Sequence, residues 1–376
     1  MSGIYIHIPF CKQACHYCDF HFSTSMKRKE EVVAALIREI QLRKEEFLNE
    51  KVETIYFGGG TPSVLTNAEI ESLIDAVYQN YQVIEHPEIT LEANPDDLSE
   101  KRIIELSKTA VNRLSIGVQS FYEADLKMMN RAHNAQEAKK SLEIAVQYFD
   151  NISVDLIYGI PGLTNEMWRK NIQTALNLGI PHISSYALTV EPKTALHKLI
   201  QTGEIALPKE EVAQEHFEIL VKTLTENGFI HYELSNFGKP NYFSKNNSSY
   251  WLGKKYIGIG PSAHSYNGTS RSWNIANNIL YLKSITEDKL PLGIEVLSQQ
   301  DVYNEYIMTG LRTIWGVSLS KIKTDFGDQY LNYLLKNAER FIADDLLSIE
   351  NEILKTTNKG KFLTDGIASD LFYLND

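Results

Sequence analysis

The sequence predicts an α/β fold, a partial (βα)6 TIM-like barrel followed by a small C-terminal winged-helix-like α+β domain. Two observations predict it: six β-rich apolar runs alternate with helical patterns, and the pattern changes to helices and a hairpin near the C-terminus. Strand, helix and strand at this spacing are typical of βαβ units with a parallel sheet. Six units are fewer than the eight of a closed barrel, so we expect an open one. A doubly wound sheet gives the same local pattern and is the alternative.

The predicted strands share β-branched and aromatic residues, and the predicted helices share apolar positions at helical spacing. The strands are 4–8, 54–58, 88–94, 113–118, 153–159 and 182–189, and the helices between them are 30–48, 66–81, 98–109, 135–149 and 165–179. The stretches TNAE (66–69) and DLSE (97–100) place capping residues ahead of two helical runs. These caps support the alternation of strands and helices.

The remaining chain is predicted to form two further parts. We expect a barrel over 1–235, an irregular aromatic-rich covering segment over 236–290 and a small domain over 291–376. Further helices are expected at 209–226, 301–313, 318–324, 327–342 and 365–373, with a hairpin around the TNKG turn at 357–360. Residues 291–376 hold 8 basic and 13 acidic residues, a net charge of −5. This charge favours packing or partner docking over DNA binding.

Composition and charge limit the classes of function. The 376 residues are 43% hydrophobic and 23% charged, which is ordinary for a globular protein. The net charge of −11 argues against general nucleic-acid binding and against attraction to an anionic membrane surface. No 18-residue apolar run and no signal-peptide pattern occur, so we expect no transmembrane segment and a cytoplasmic location.

All three cysteines of the chain lie in one short stretch, CKQACHYC, as Cys11, Cys15 and Cys18. Thiolates are soft ligands that suit iron–sulfur clusters or zinc. Three of them can hold three corners of a cubane cluster, which leaves the fourth iron open to a small chelating ligand. The alternative is structural zinc held by the three cysteines and one of the nearby histidines, which are His7, His16 and His21.

Several motifs in matching order extend the cysteine pattern. They are YIHIPFC (5–11), FGGGTPS (57–63), LEANPDDL (91–98), RLSIGVQSF (113–121), DLIYGIPG (155–162), YALTVEP (186–192) and YELSNF (232–237). Over nearly its whole length the chain resembles the oxygen-independent coproporphyrinogen III oxidase-like proteins of the radical S-adenosylmethionine (SAM) superfamily. The resemblance implies a partial barrel of the radical SAM type and a 4Fe–4S cluster whose open iron is chelated by SAM. It also implies that an electron from the cluster cleaves SAM to methionine and a 5′-deoxyadenosyl radical.

The family's SAM contacts carry over to ten positions of this sequence. They are Tyr5, Tyr17, Gly59, Gly60, Thr61, Glu92, Gln119, Arg131, Asp155 and Ala187. A guanidinium at Arg131 suits the SAM carboxylate, and Glu92 and Asp155 suit ribose hydroxyls or the sulfonium charge. The alternatives are that Arg131 forms a surface ion pair and that the two carboxylates only end strands.

Two branches of the family differ at one position after the third cysteine. The oxidase branch has a further cysteine where this chain has Phe20, whereas the haem-chaperone branch has CDF, as here. The resemblance therefore implies a protein that binds haem or a related porphyrin and delivers haem to respiratory acceptor proteins at the membrane. A peripheral position at the membrane is part of that expectation. The alternative function is oxidative decarboxylation of coproporphyrinogen III to protoporphyrinogen IX.

The haem-associated motif of that branch, His-Asn-x-x-Tyr-Trp, is incomplete here. The chain reads NNSSYW, so Asn246 stands at the position of the histidine. Asparagine is a poor ligand for haem iron compared with histidine or tyrosine. The remaining candidates for haem contact are Tyr250, Trp251 and His264. The alternative is that Tyr250 and Trp251 only pack against the barrel mouth.

Overall fold

The computed structural model describes residues 2–374 and contains one large sheet, one small sheet and the helices packed on them. The strands are β1 (Ser2–Ile8), β2 (Val52–Gly59), β3 (Val83–Ala93), β4 (Arg113–Gln119), β5 (Asn151–Tyr158), β6 (His182–Ala187), β7 (Ile230–Glu233), β8 (Asn236–Gly238), β9 (Lys255–Ile259), β10 (His264–Tyr266), β11 (Ser270–Asn274), β12 (Leu292–Val296), β13 (Val317–Ser318), β14 (Leu347–Glu350) and β15 (Ile353–Thr356).

The helices follow the strands in the predicted alternation through the first half of the chain. They are α1 (Lys29–Leu42), α2 (Asn67–Asn80), α3 (Glu100–Leu106), α4 (Glu123–Met128), α5 (Ala135–Ala145), α6 (Asn165–Asn177), α7 (Ala195–Gln201), α8 (Glu210–Glu226), α9 (Lys245–Trp251), α10 (Asn278–Thr286), α11 (Gln299–Leu311), α12 (Leu319–Phe326), α13 (Asp328–Ala343) and α14 (Thr364–Asp370). No helix in this described part of the chain is both long and apolar enough to span a membrane.

Strands β1 to β6 form the partial barrel that the sequence predicts. They pair in parallel and in chain order, from β1 through β6. Their side chains are mostly buried, because helices cover the outer face of the sheet and the inner face is turned into the barrel. The predicted fold class is therefore confirmed, with an open sheet in place of a closed barrel. The parallel order also brings the carboxyl ends of all six strands to one edge, where the cysteine loop lies.

Two capped helix starts agree with the sequence. The Thr66 side chain accepts a hydrogen bond from the backbone N–H of Glu69, and the Glu69 carboxylate accepts from the backbone N–H of Thr66. The Ser99 side chain accepts from the backbone N–H of Arg102. Both caps satisfy donors that have no partner inside the helix, and they fix where α2 and α3 begin.

The expected irregularity of 236–290 is wrong. This segment contains β8 to β11, α9 and α10, and β9 pairs in parallel with β1 so that the sheet continues beyond the barrel. The strands are short and rich in serine, tyrosine and glycine, which gives no period-two apolar pattern. Pairing along the exposed edge of β1 supplies the order that local propensity does not predict.

The C-terminal part has its own hydrophobic core, and its three-stranded sheet has the order β13-β15-β14. Two details of the prediction are wrong here. The hairpin turns at Asn351 and Glu352, with φ of 51° and 60°, and not at 357–360. Two consecutive residues with positive φ match the right-handed twist of the hairpin strands. The last helix ends at Asp370 and not at residue 373.

Helix α1 is shorter than its periodicity predicts. Helix α1 ends at Leu42, and a 3₁₀ turn over Lys44–Phe47 follows it. The side chain of Arg43 turns inward, where it donates to Glu39 and to the backbone oxygen of Gly258. A buried hydrogen bond from Arg43 therefore ties the end of this helix to β9, and the ion pair with Glu39 balances the charge of Arg43.

Candidate functional site

A cavity of about 440 Å³ opens at the carboxyl edge of the parallel strands. All three cysteines line it, together with nine of the ten residues at which the resemblance places SAM contacts: Tyr17, Gly59, Gly60, Thr61, Glu92, Gln119, Arg131, Asp155 and Ala187. These residues come from loops and strand ends spread over almost 180 positions of sequence. Ligand sites of α/β sheets lie at this edge, because successive strand ends converge there.

Tyr5 is the exception among the ten. It does not line the cavity; its ring stacks on Tyr56 inside the barrel, with 6.0 Å between ring centroids. Its hydroxyl lies 3.3 Å from Nδ1 of His7. Burial raises the pKa of Tyr5 well above its usual value, so the hydroxyl stays protonated. The structure therefore places Tyr5 inside the barrel and not among the residues that line the cavity.

Backbone contacts hold the cysteine loop against the glycine loop that follows β2. The N–H of Gly60 donates to the oxygen of Ile8 at 2.9 Å, and the N–H of Thr61 donates to the oxygen of Phe10 at 2.7 Å. A Cβ atom at position 60 would lie 2.6 Å from that Phe10 oxygen. The loops can approach this closely only because residue 60 is glycine.

A second segment holds the other side of the cysteine loop. The backbone N–H of His16 donates to the oxygen of Met129 at 3.0 Å, and the His16 Nδ1 lies 2.8 Å from the oxygen of Met128. The Gln13 side chain donates to the backbone oxygen of Asn130 at 2.9 Å. The loop is thus held by a segment more than 110 residues later in the chain.

The histidines of the zinc alternative have other partners. His7 is buried, with Nε2 2.9 Å from the oxygen of His21, and His21 has Nε2 2.7 Å from the side-chain oxygen of Asn278. Neither these two nor His16 lines the cavity. In residues 2–374, no three His, Cys, Asp or Glu side chains are gathered around one point as a single metal ion requires. A cubane makes a different demand, because each thiolate binds a different iron.

Two side chains donate hydrogen bonds to the cysteine sulfurs. The hydroxyl of Thr61 lies 3.4 Å from Sγ of Cys11, and Nη1 of Arg131 lies 3.1 Å from Sγ of Cys15. Burial raises the pKa of the Cys11 thiol and raises that of Cys18 to about 11. Without metal these two thiols are protonated at neutral pH, so binding of a metal cluster releases protons.

Arg131 is held by neutral groups and not by a surface carboxylate. Its Nη2 donates to the side-chain oxygen of Asn94 and to the backbone oxygen of Gly117, each at 2.7 Å, and its Nη1 lies 3.3 Å from the Tyr17 hydroxyl. The positive charge therefore remains available to an anionic ligand in the cavity. Asn94 was missed as a site residue, although it lies in the motif LEANPDDL.

Two carboxyl groups lie on the cavity wall, and burial raises the pKa of each to about 7. Glu92 accepts a hydrogen bond from the Tyr56 hydroxyl at 2.8 Å, and Asp155 accepts one from Ser115 at 3.3 Å. The positive charge of the buried Arg113 opposes the increase at both. Near neutral pH these groups can accept hydrogen bonds from hydroxyls or face a cationic centre.

Gln119 has a strained backbone where β4 enters the cavity. Its φ is 69°, a left-handed value that is uncommon for a residue with a side chain. The conformation coincides with a register shift between β4 and β5 at positions 117 to 119. Such strain is concentrated at ligand sites, where surrounding structure holds the residue in place.

A second cavity of about 820 Å³ lies between the 250–271 region and the C-terminal domain. Tyr250 and Trp251 line it, whereas His264 does not. Its other aromatic residues are Tyr256, Tyr266, Tyr306, Trp315 and Phe326. The Trp251 ring also stacks on the guanidinium of Arg312, at 5.1 Å. The structure thus brings two of the three haem candidates to one cavity and leaves His264 beside Trp273, on another part of the sheet.

The second cavity is on the opposite side of the barrel from the cysteines. Tyr256 pairs with Gly3 at the amino end of β1, and Asn246 accepts a hydrogen bond from Thr54 near the amino end of β2. Asn246 is only 4% exposed, and its backbone N–H donates to Glu88. Tyr250 and Trp251 therefore lie away from the cysteine loop, and the alternative that they only pack against the barrel mouth stays open.

Comparisons with known proteins give the family. The model described as "Radical SAM superfamily" matches residues 5–175, and the model described as "HemN C-terminal domain" matches residues 297–363. A "Heme chaperone HemW" from Lactococcus lactis is 36% identical, with 97% of this chain and 98% of that protein covered. The protein of the same name from Bacillus subtilis is 35% identical, with 96% and 97% covered. The chain belongs to the HemW family. The similarity to these HemW proteins thus includes both the radical SAM part and the C-terminal part of the chain.

A solved structure agrees with the fold. The coproporphyrinogen III oxidase HemN from Escherichia coli, described as a radical SAM enzyme, superimposes with a TM-score of 0.86. The match covers 99% of this chain and 90% of that chain, at 23% sequence identity. At this identity the likeness shows a shared fold. Membership of a radical SAM family implies a 4Fe–4S cluster and SAM as cofactors.

Proposed function

We propose that this protein is a haem chaperone of the radical SAM type. In this proposal it holds a 4Fe–4S cluster, SAM and haem, and it delivers haem to respiratory acceptor proteins at the membrane without coproporphyrinogen oxidase activity. The observation that carries the proposal is the presence of two separate cavities on opposite sides of the barrel, of about 440 and 820 Å³. An oxidase must hold its porphyrinogen beside SAM, whereas a chaperone can hold haem elsewhere.

The residues of the smaller cavity fit the cluster and SAM. Cys11, Cys15 and Cys18 supply three soft sulfur ligands on a loop that is held from two sides. When bound, the cluster and SAM would supply one-electron reductive chemistry at this edge of the sheet. Arg131 would bind the SAM carboxylate, and Glu92 and Asp155 would orient its hydroxyl groups and face its sulfonium charge.

The remaining carried-over residues have supporting parts in the proposal. The glycine loop consists of Gly59, Gly60 and Thr61. Its backbone lets a ligand approach closely, because residues 59 and 60 have no side chain that would stand between the backbone and the ligand. Tyr17, Gln119 and Ala187 complete the wall. Tyr5 packs against Tyr56, whose hydroxyl donates to Glu92 on the cavity wall.

In this proposal haem binds in the larger cavity through packing against aromatic side chains and not through a protein ligand to its iron. Burial raises the pKa of Tyr250, so its phenol keeps its proton and is a weak ligand for iron. In this proposal the rings of Tyr250 and Trp251, which both line the cavity, would stack on a flat porphyrin. His264 has no part in this site, because it lies outside the cavity.

Phe20 supports the chaperone over the oxidase. Its side chain is 68% exposed at the rim of the cysteine cavity, where the oxidase pattern has a further cysteine. The relatives of this chain that match over nearly its full length at 35–36% identity are named haem chaperones, whereas the oxidase is similar in fold. Both observations favour haem handling.

The division of the chain into 1–235, 236–290 and 291–376 is part of the proposal. One hydrophobic cluster includes residues from Ile4 to Ile285, and a second includes residues from Tyr303 to Leu371. The second cluster supports a separate C-terminal unit. The larger cavity lies between the two clusters, so both units would contact haem.

A haem titration of the full chain, reconstituted with cluster, tests the function. We expect the wild type to bind one haem and to transfer it to an apo-cytochrome, and we expect Trp251→Ala to weaken binding about tenfold through lost stacking. Trp273→Ala is the matched control, because Trp273 is an indole outside both cavities. The same sample is assayed anaerobically with reductant, SAM and coproporphyrinogen III. Absence of haem binding, or a vinyl-containing product, would reject the proposal.

A further inference from the structure

One carboxamide joins the two side chains that donate to the cysteine sulfurs. Asn94 lies directly after β3 and lines the smaller cavity. Its Oδ1 accepts a hydrogen bond from Arg131 at 2.7 Å, and its Nδ2 donates to the hydroxyl oxygen of Thr61 at 3.4 Å. Thr61 and Arg131 in turn donate to the sulfurs of Cys11 and Cys15. The five residues form a continuous hydrogen-bonded arc along the cavity wall.

The direction of each hydrogen bond in the arc follows from the chemistry of Asn94. A threonine hydroxyl has one proton, and the Nδ2–H of Asn94 occupies its oxygen as an acceptor. The proton of Thr61 is therefore left for Cys11. The Oδ1 of Asn94 and the backbone oxygen of Gly117 hold Nη2 of Arg131, which leaves Nη1 directed at Cys15. The carboxamide of Asn94 has the acceptor that Arg131 requires and the donor that Thr61 receives, whereas a carboxylate has no donor.

We infer that Asn94 is a positioning residue that sets the reduction potential of the cluster, an inference that rests on the proposed binding of a cluster by the three cysteines. Hydrogen bonds to cluster sulfurs and nearby charge are among the features that set the potential. The bonds from Thr61 and Arg131 stabilise the more negative, reduced form and raise the potential. Asn94 orients both bonds without being a ligand itself.

Asn94→Asp tests the orientation with almost no change in size. A carboxylate has acceptors but no donor, so the Thr61 hydroxyl would donate to it and turn away from Cys11. The new negative charge also opposes reduction. We expect about tenfold less reduced cluster at a fixed solution potential, which is a midpoint lower by 59 mV for one electron. Asn177→Asp is the matched control, because Asn177 is exposed at the end of α6.

The measurement is a redox titration of each reconstituted chain, followed by electron paramagnetic resonance and normalised to its iron content. A midpoint in Asn94→Asp equal to those of the wild type and Asn177→Asp would overturn the inference. Weaker SAM binding with an unchanged midpoint would also overturn it, because Asn94 would then act as a SAM contact. A wild type that assembles no cluster would instead reject the proposed function.

Thr61→Val is a second variant that keeps the inference testable if Asn94→Asp assembles little cluster. Valine has the shape of threonine and removes the hydroxyl that donates to Cys11 and accepts from Asn94. We expect its midpoint to fall in the same direction as that of Asn94→Asp. The double variant should show less than the sum of the two shifts, because both changes remove the bond to Cys11. An unchanged midpoint in Thr61→Val, or additive shifts in the double variant, would overturn the inference.

Discussion

Glu92→Gln measures what it costs the metal-free protein to keep a carboxylate in the cavity wall. Burial raises the pKa of Glu92 from 4.5 to about 7. Between these values the folded state binds more protons than the unfolded state, so stability falls as the pH rises through this window. The cost is fully present above pH 7 and absent below pH 4.5. The glutamine side chain does not titrate, so the variant does not have this cost in stability.

The magnitude follows from the size of the pKa change. At 1.36 kcal/mol for each pKa unit, the cost above pH 7 is about 3.4 kcal/mol. Contact with cavity water reduces this figure. Glutamine accepts a weaker, neutral hydrogen bond from Tyr56, and this weakening lowers the stability of the variant by about 1 kcal/mol. We therefore expect Glu92→Gln to be more stable than the wild type by about 2 kcal/mol at pH 8 and about equally stable at pH 5.

Urea denaturation of the metal-free chains, followed by tryptophan fluorescence at pH 5 and pH 8, measures the difference. Glu71→Gln is the matched control, because Glu71 is exposed on α2. If Glu92→Gln were less stable than the wild type at pH 8, the reasoning would be refuted. A difference that is equal at the two pH values would also refute it, because packing and not ionisation would then be responsible.

Two further pairs of substitutions test the backbone and the buried charges. Gly59→Ala should cost several kcal/mol, because Gly59 has φ of 106° and its Cβ would lie 2.5 Å from the His7 ring. Gly228→Ala, at φ of 78° in open space, should cost only about 1 kcal/mol, and equal losses in urea denaturation would contradict this account. Arg43→Met should cost about 3–5 kcal/mol by leaving Glu39 buried without its cation. Adding Glu39→Gln should recover part of that loss, and no recovery in calorimetry would argue against the ion pair.

The periodic patterns of the first half predict the fold because they are local. Alternating strands and helices follow from apolar spacing, and caps such as Thr66 begin helices through bonds within four residues. Where a distant residue decides the structure, the prediction is wrong. Helix α1 stops at Leu42 because Arg43 reaches Gly258, and β9 exists because β1 offers it an edge. Neither partner is visible in a local pattern.

The sequence alone determined the three-thiol loop, the glycine loop after β2 and the polar strand ends, since each is a short motif with its own chemistry. It also determined that residue 20 is phenylalanine where the oxidase pattern has cysteine. Only the tertiary structure decided that Tyr5 is not among the residues lining the cavity, that His264 lies apart from Tyr250, and that Asn94 connects Thr61 to Arg131. These facts depend on how strands far apart in sequence pair and in which direction their side chains leave the sheet. Pairing of this kind is set by packing of the whole molecule, which no short stretch of sequence contains.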